Sequence, residues 1–352
     1  MRWIGLSSAV PRRIVKSEIA VEHFPKADVD KVVGNIGVIE HREARPGTTS
    51  ADLAIAAAGP LLERLGWPLD SIDALVFVTQ TPDFYFPGSA HRIQNALGLS
   101  SKCLCLDVNL GCSGFTHGVI VMQALMGSGL IRRGLLLCGE VTTGTVRPGI
   151  ADVRQAHELG NALMFGDAAS AAAFERDGGE QIRATSWGSD GAGIELISVP
   201  GGGFKQFPNA ALLEPRTDAD GIARRPLDLR INGAAIFTFT IRRVPPLLDD
   251  TLARAGWGKE DVDAYVFHQA NKFILEFLRK KMGIPAEKVP LSIEHFGNTS
   301  SASIPLTMLV RMGDRLEGKN KLVLLGFGSG LSWSGVAIET EGLVAVPLIE
   351  VE

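Results

Sequence analysis

The chain has 352 residues, of which 45% are hydrophobic and 21% charged, and its formal net charge at pH 7 is -4. This composition is typical of a globular protein with a large core, and the length favours two domains or two similar halves. Because there is no basic excess, nucleic acid is not expected as a partner. No apolar run reaches the roughly 18 residues that span a membrane, and the short run Met1–Leu6 does not predict a signal peptide.

Four cysteines lie at positions 103, 105, 112 and 138. None of them belongs to the paired C-x-x-C or Cys/His spacings that build metal sites, so we expect no metal and no cofactor. Unpaired thiols favour a reducing compartment, which predicts a cytoplasmic protein.

Hydrophobic periodicity predicts helices that alternate with strands. The apolar spacing over 51–65, followed by Gly66, predicts a helix that ends on a glycine C-cap. A second helix is predicted over 88–97. The alanine run 168–173 suits either a tightly packed strand or a helix. Short apolar runs predict buried strands at 72–78 and 135–138, and the segment 103–108 is predicted to be a strand that leads to Cys112.

Cys112 stands between a predicted strand and a long apolar segment that predicts a buried helix beginning at the cysteine itself. The first turn of a helix has unpaired N–H groups and a partial positive charge, which favour an anion. A thiolate placed there has a lowered pKa and is a stronger nucleophile at neutral pH. The alternative is an inert core thiol, because free cysteine is often buried.

The second half of the chain repeats the first. Trp67 and Asp73 match Trp257 and Asp263 at one fixed offset, and the segment 134–137 resembles 321–324. Self-similarity of this kind indicates a duplicated unit of helices and strands. It predicts an α/β protein with largely parallel strands, divided into an N-terminal half (1–176) and a C-terminal half (177–352).

The repeat places two further reactive residues near Cys112. His268 follows the predicted strand that ends at Phe267, and ligands of open α/β sheets bind at that end of a strand. Asn298 occupies approximately the position that Cys112 has in the first half. Each residue alone would be an interior histidine or a turn asparagine; the repeat brings the three together as a candidate catalytic site.

Two glycine-rich stretches carry weaker signals. The segment 326–330, Gly-Phe-Gly-Ser-Gly, follows a predicted strand, where its backbone can approach a ligand closely and supply N–H groups to an oxyanion, or form an ordinary tight turn. The stretch 199–225 has no period and predicts a long irregular excursion, which is usually functional or mobile.

Six motifs, in this order, resemble the β-ketoacyl-ACP synthase III family. They are Gly-Cys-Ser-Gly-Phe at 111–115, Phe-Gly-Asp at 165–167, Asn-Gly at 232–233, His-Gln-Ala-Asn at 268–271, Gly-Asn-Thr-Ser at 297–300 and Gly-Phe-Gly at 326–328. The resemblance implies the family's thiolase fold, a five-layered αβαβα domain formed by two duplicated halves.

The resemblance also implies catalytic roles. Cys112 would take an acyl group as a thioester, and the N–H groups of Cys112 and Gly330 would hold the oxyanion of that transfer. His268 and Asn298 would donate hydrogen bonds to the thioester carbonyl of a malonyl-type extender while carbon dioxide leaves, because negative charge develops on that oxygen.

The same resemblance implies partners. Phe86 and Pro87 are similar to the segment that crosses the dimer interface of the family and walls the acyl pocket of the other subunit, so a homodimer is expected. Acyl-carrier protein or acyl-CoA thioesters would be the substrates.

Three positions depart from the family pattern. Primer-using members carry an aromatic residue and an arginine, which sandwich the adenine of coenzyme A, where this chain has Lys31 and Asn35. They carry an arginine that docks the carrier protein where this chain has Phe273. These departures predict that acetyl-CoA is a poor primer.

The resulting expectation is a decarboxylating condensing enzyme of fatty-acid or related biosynthesis. One alternative is a relative that passes the acyl group to an oxygen or nitrogen nucleophile, with His268 as general base. A second is a Cys-His-Asn hydrolase, whose product is a free acid. A third is an acyl-binding subunit without activity.

Overall fold

The computed structural model describes residues 1–143, 153, 158–177, 179–217 and 223–352. Its strands are β1 (Arg2–Pro11), β2 (Ile14–Lys16), β3 (Glu40–Arg42), β4 (Ala74–Val78), β5 (Leu104–Val108), β6 (Arg133–Glu140), β7 (Ala168–Glu175), β8 (Ile182–Ser189), β9 (Ile197–Ser198), β10 (Arg216–Thr217), β11 (Ala223–Arg224), β12 (Arg230–Ile231), β13 (Ala264–Phe267), β14 (Asn320–Gly328), β15 (Ser332–Thr340), β16 (Val344–Ala345) and β17 (Ile349–Val351). Its α-helices are α1 (Lys26–Ile36), α2 (Ser50–Leu65), α3 (Ser89–Ala96), α4 (Gly114–Gly127), α5 (Leu159–Met164), α6 (Gly233–Ala255), α7 (Lys272–Lys281), α8 (Ile293–Phe296) and α9 (Ser303–Met312).

The larger sheet has the strand order β16-β1-β7-β6-β4-β5, and β17 also pairs with β1. Strands β4, β5 and β6 run parallel, whereas β7 is antiparallel to both of its neighbours. The alanine run therefore forms a strand, and Ala168–Phe174 of β7 are buried. Small side chains allow helices to approach both faces of this central strand closely.

The smaller sheet has the order β13-β14-β15-β8, with β13 and β14 parallel and the other two pairs antiparallel. Helices α4 and α9 each contact both sheets, so they form the middle layer. Helices α2 and α3 cover the outer face of the larger sheet, and α6 covers that of the smaller one with α7 packed beside it. The five layers αβαβα implied by the family resemblance are confirmed.

Local sequence signals explain the element boundaries. Helix α2 begins with a capping box, in which the Thr49 side chain and Asp52 satisfy each other's backbone N–H groups, and it ends on Gly66 in the left-handed conformation at φ 61°. The helix predicted over 51–65 is therefore confirmed. Strands β4, β5 and β6 and helix α3 likewise lie where periodicity predicts them.

The two halves share a structural device at the start of their central strands. Asp73 accepts hydrogen bonds from the N–H groups of Arg132 (2.7 Å) and Arg133 (3.0 Å), and Asp263 accepts one from that of Lys321 (2.7 Å). The same aspartates tie β4 to β6 and β13 to β14. The repeat that the sequence predicts is thus a repeat of contacts as well as of residues.

The equivalent tryptophans also share a contact. The Arg133 guanidinium lies 4.8 Å from the centroid of the Trp67 ring, and the Lys321 ammonium lies 5.4 Å from that of Trp257. Arg133 therefore corresponds to Lys321. The strand pairing gives the same correspondence. The equivalent residues Ala74 and Ala264 pair with Gly134 and Leu322, so Gly134 corresponds to Leu322. The sequence alignment of 134–137 with 321–324 was wrong by one residue.

The division at residue 176 falls in the connection between β7 and β8, and it stays a prediction. Strands β16 and β17, from the end of the chain, pair with β1 and so complete the sheet of the other half.

The described part of the excursion 199–225 has short turns and the two-residue strands β10 and β11. Residues 218–222 of that excursion lie outside the described residues.

We predict that Asp73→Ala lowers the free energy of unfolding by about 1–3 kcal/mol, because two backbone N–H groups lose their acceptor. Asp263→Ala should cost about 1 kcal/mol or less, since its carboxylate is exposed and accepts one bond. Urea denaturation of the two variants gives this ordering directly. A larger loss in Asp263→Ala would contradict the assigned contacts.

Candidate active site

A cavity of about 360 Å³ lies between the two halves, at the ends of β4, β6, β13 and β14. Cys112, His268 and Asn298 all line it, so the structure brings the three predicted residues to one place. Its remaining wall is largely apolar and includes Met164, Phe165, Ile197, Val199, Leu229, Ile231, Ile236 and Ile274.

Cys112 lies in a turn, and not at the start of a helix. The Gly114 N–H donates to the Gly111 carbonyl at 2.6 Å, and α4 begins at Gly114, so the predicted helix start was wrong by two residues. Burial raises the pKa of Cys112 to about 11, although hydrogen bonds from Ser300 and from the backbone of Ser329 act in the opposite direction. The pKa of this thiol is therefore raised, and the lowered pKa that the sequence predicted was wrong.

The end of β14 packs directly against the cysteine turn. A Cβ at Gly328 would lie 2.5 Å from the Cys112 Cβ, and one at Gly326 would lie 2.8 Å from the Ser113 Cα. Any side chain at these two positions would displace the nucleophile, so the approach requires glycine. The segment 326–330 thus approaches the nucleophile closely, whereas its approach to a ligand stays a prediction.

The backbone N–H that reaches the Cys112 sulfur from this segment belongs to Ser329. Ser329 lines the cavity, as does Gly328, whereas Gly330 is not among the lining residues. The geometry therefore favours Ser329 over Gly330 as the partner of the Cys112 N–H in an oxyanion site.

His268 follows β13 and is almost fully buried. The Ser303 hydroxyl donates to the Ser300 carbonyl at 2.7 Å, so its oxygen accepts the Nδ1–H of His268 at 2.8 Å. This leaves Nε2 as the unprotonated nitrogen. Burial lowers the pKa of His268 to about 3, so the imidazole is neutral at physiological pH.

Asn298 is oriented by its neighbours. Its Oδ1 accepts the N–H of Ser300 at 2.9 Å, and its Nδ2 donates weakly to the Ala270 carbonyl at 3.4 Å. One Nδ2 hydrogen remains for a ligand in the cavity.

Ser300 adopts φ 50°, which is uncommon for a residue other than glycine. Its hydroxyl lies 3.9 Å from the Cys112 sulfur, so the strained loop contacts the nucleophile directly.

Glu140, at the end of β6, is a buried acid of the cavity wall that sequence reasoning missed. Its oxygens accept bonds from the Gln80 N–H (3.1 Å), the Thr81 hydroxyl (3.0 Å) and the Ser301 hydroxyl (3.3 Å). Burial raises the pKa of Glu140 to about 8. An acidic residue directly after the apolar run of β6 was the available signal.

Phe86 and Pro87 do not line the cavity of their own chain. Phe86 is 77% exposed and lies with Phe84 and Tyr85 around a separate depression of about 680 Å³. Exposed aromatic rings in sequence are unusual on the surface of a monomer.

The three departing positions lie on two helices. Lys31 and Asn35 are exposed on α1. Phe273, on α7, is half-exposed and its ring centroid lies 5.4 Å from that of Phe237. The neighbouring Ile236 and Ile274 line the cavity, so these rings lie close to it.

The described residues lack two further features. No three His, Cys, Asp or Glu side chains in the described ranges are grouped as metal ligands. Within the same ranges, no helix has the length and apolarity needed to cross a membrane.

Known proteins match this chain over almost its whole length. Profiles of the family described as 3-oxoacyl-[acyl-carrier-protein (ACP)] synthase III match residues 106–191, and those of its C-terminal part match 252–340. The β-ketoacyl-[acyl-carrier-protein] synthase III 2 of Streptomyces coelicolor is 32% identical over 342 residues, 96% of this chain and 93% of that protein.

Solved structures of proteins with the same family name are similar to this chain over almost its whole length. The crystal structure of a 3-oxoacyl-(acyl-carrier protein) synthase from Burkholderia xenovorans has a TM-score of 0.90 and 39% identity, covering 99% of this chain and 97% of that one. The priming β-ketosynthase of a polyketide biosynthetic pathway has a TM-score of 0.81 and 28% identity, covering 97% and 96%.

We predict that iodoacetamide alkylates Cys112 slowly at neutral pH, because a raised pKa leaves little thiolate. The rate should rise about tenfold per pH unit above neutrality and level off only near pH 11. Mass spectrometry of the Cys112 peptide measures the rate separately from the other three thiols. A plateau reached near pH 7 would contradict the effect of burial.

Proposed function

The chain belongs to the 3-oxoacyl-[acyl-carrier-protein] synthase III family of condensing enzymes, and from this premise we propose how its residues divide the reaction. Cys112 carries the acyl group as a thioester, and the bound acyl group then joins the carbon of a malonyl-type thioester that loses carbon dioxide. The observation that carries the assignment is the cavity shared by Cys112, His268 and Asn298.

In the loading step, the Cys112 sulfur attacks the carbonyl of the incoming thioester. Negative charge then develops on the carbonyl oxygen, and the N–H groups of Cys112 and Ser329 are the donors that stabilise it. The free Nε2 of His268 takes the thiol proton and returns it to the departing thiol. Because the pKa of His268 is about 3 and that of Cys112 about 11, this transfer is unfavourable as a separate step and must accompany the attack of the sulfur on the carbonyl.

In the condensing step, Asn298 is the fixed hydrogen-bond donor to the enolate oxygen. Its Oδ1 is held by the Ser300 N–H, so the amide cannot turn its oxygen toward the substrate without losing that bond. His268 donates in this step only when Nε2 is protonated. The two residues are therefore not equivalent donors, and Asn298 carries the greater part of this stabilisation.

The substrates are thioesters of acyl-carrier protein, the carrier that the names of the relatives give for those proteins, or of coenzyme A. Lys31 and Asn35 offer neither the ring nor the guanidinium of the adenine clamp. The donor is therefore held mainly through its pantetheine arm and its acyl part, and acetyl-CoA is a poor primer.

The working form is a cytoplasmic homodimer. The exposed rings of Phe84, Tyr85 and Phe86 would be covered in such a dimer, and Phe86 with Pro87 would reach the acyl pocket of the other subunit. Transfer of the acyl group to an oxygen or nitrogen nucleophile is the second candidate, because the unprotonated Nε2 of His268 is also suited to a general base.

We predict that Asn298→Ala still loads acyl groups at Cys112 but loses about 10²–10³-fold in condensation rate, the usual cost of one missing donor. Asn298→Asp is the companion variant: it keeps an oxygen for the Ser300 N–H but replaces the donor by a carboxylate, so its loss of condensation should be at least as large. Intact-mass spectrometry with peptide mapping measures loading, and 3-oxoacyl product formation measures condensation. An equal loss of both steps would argue against the division of roles.

A further inference from the structure

We propose that Asp167 is a positioning residue for the condensing step, because it fixes the backbone segment that holds Asn298 in the cavity. The inference rests on the proposed function. It assigns a role to the Phe-Gly-Asp motif at 165–167, which the catalytic roles proposed above leave unexplained. Asp167 is fully buried and does not line the cavity, so it acts through Asn298 and not on the substrate.

The backbone of Asn298 is hydrogen-bonded to this motif at both of its polar groups. Its N–H donates to the Met164 carbonyl at 2.8 Å, and its carbonyl accepts the Gly166 N–H at 3.2 Å. The two segments pair as a parallel bridge between Phe165 and Asn298. These bonds fix where the Asn298 backbone lies, whereas the Ser300 N–H orients only its side chain.

Gly166 lies directly against the loop of Asn298. A Cβ at Gly166 would lie 2.0 Å from the carbonyl oxygen of Phe296, so the two backbones are in contact. A shift of the motif therefore displaces the loop. The nucleophile is held in a similar way, with Gly328 of the second half against Cys112 of the first. Each half of the chain thus positions a reactive residue of the other.

The Asp167 side chain anchors the motif to two other segments. Its Oδ2 accepts the N–H of Ala44 at 2.9 Å, and its Oδ1 accepts the N–H groups of Thr142 at 2.8 Å and Thr143 at 3.3 Å. The Asp167 N–H donates to the Arg42 carbonyl at 2.9 Å. Because each buried donor would lose its acceptor, the motif is costly to move while Asp167 is present.

Loss of this anchor should affect the two steps of the reaction unequally. Asn298 is bound to the motif through its backbone, whereas Cys112 is held by the glycines at the end of β14. The enolate donor is therefore displaced while the nucleophile stays in place. A displacement of about 1 Å can cost about 10²-fold in rate.

The test uses Asp167→Asn, which keeps the shape of the side chain but turns an amide N–H toward one of the backbone N–H groups. Condensation by enzyme already acylated at Cys112 should slow about 10- to 100-fold, whereas loading should stay within about threefold of wild type. Peptide mapping by mass spectrometry measures loading, and 3-oxoacyl product measures condensation. Asp167→Glu, which keeps both oxygens but displaces them by one methylene, should show the same selective slowing and serves where Asp167→Asn does not fold.

Asp73→Asn is the matched control. Asp73 also accepts two backbone N–H groups, but it lies immediately before β4, away from the Asn298 loop. This variant should lower the free energy of unfolding in urea and leave the ratio of condensation to loading unchanged.

A double-mutant cycle shows whether Asp167 acts through Asn298. In the Asn298→Ala background, Asp167→Asn should slow condensation by less than about threefold more, because the donor that it positions is already absent. The inference is overturned if the two losses multiply, or if Asp167→Asn slows loading and condensation equally. Normal condensation by Asn298→Ala would instead contradict the proposed function, whatever the result for Asp167.

Discussion

The close approach of two backbones determines the geometry of this active site. The glycines at the end of β14 lie against the turn that holds Cys112, and a single added Cβ at Gly328 would overlap the cysteine side chain. This contact joins the two halves of the chain at the nucleophile. It places the Ser329 N–H at the sulfur and lets the Asn298–Ser300 loop reach the same cavity.

Burial is the second constraint, and it disfavours charge throughout the cavity. It raises the pKa of Cys112 to about 11, lowers that of His268 to about 3 and raises that of Glu140 to about 8. The reaction therefore starts from neutral groups, and negative charge develops where fixed hydrogen-bond donors are positioned to stabilise it. Hydrogen bonds in such a site are worth more than they are in water, because the local dielectric constant is low.

Much of the fold could be predicted from local pattern. The capping residues of α2, the apolar runs of β4 to β6 and the repeated Trp and Asp positions each depend on neighbours close in sequence. The alanines of β7 gave no answer because alanine suits both a helix and a buried strand, and only packing between α2 and α9 decides. The one-residue error in the alignment of β6 with β14 has the same cause, because local sequence does not show how these strands pair and pack.

The site was predictable in its reactive residues and less so in its supporting ones. Cys112, His268 and Asn298 follow recognisable elements, whereas Ser303 and Glu140 act through contacts between distant segments. The start of α4 was misplaced because the turn closed by Gly111 and Gly114 has the same apolar surroundings as the helix. The resemblance implies Gly330 as the second oxyanion donor and the geometry favours Ser329, because sequence cannot show which N–H of the segment faces the sulfur.

The most direct test of the central claim uses a malonyl thioester labelled in its free carboxyl carbon, supplied to enzyme already acylated at Cys112. We expect labelled carbon dioxide and 3-oxoacyl thioester to form in equal amounts, and neither to form with Cys112→Ser. Release of the acyl group as a free acid, ester or amide, with the label retained in the malonyl compound, would contradict the account.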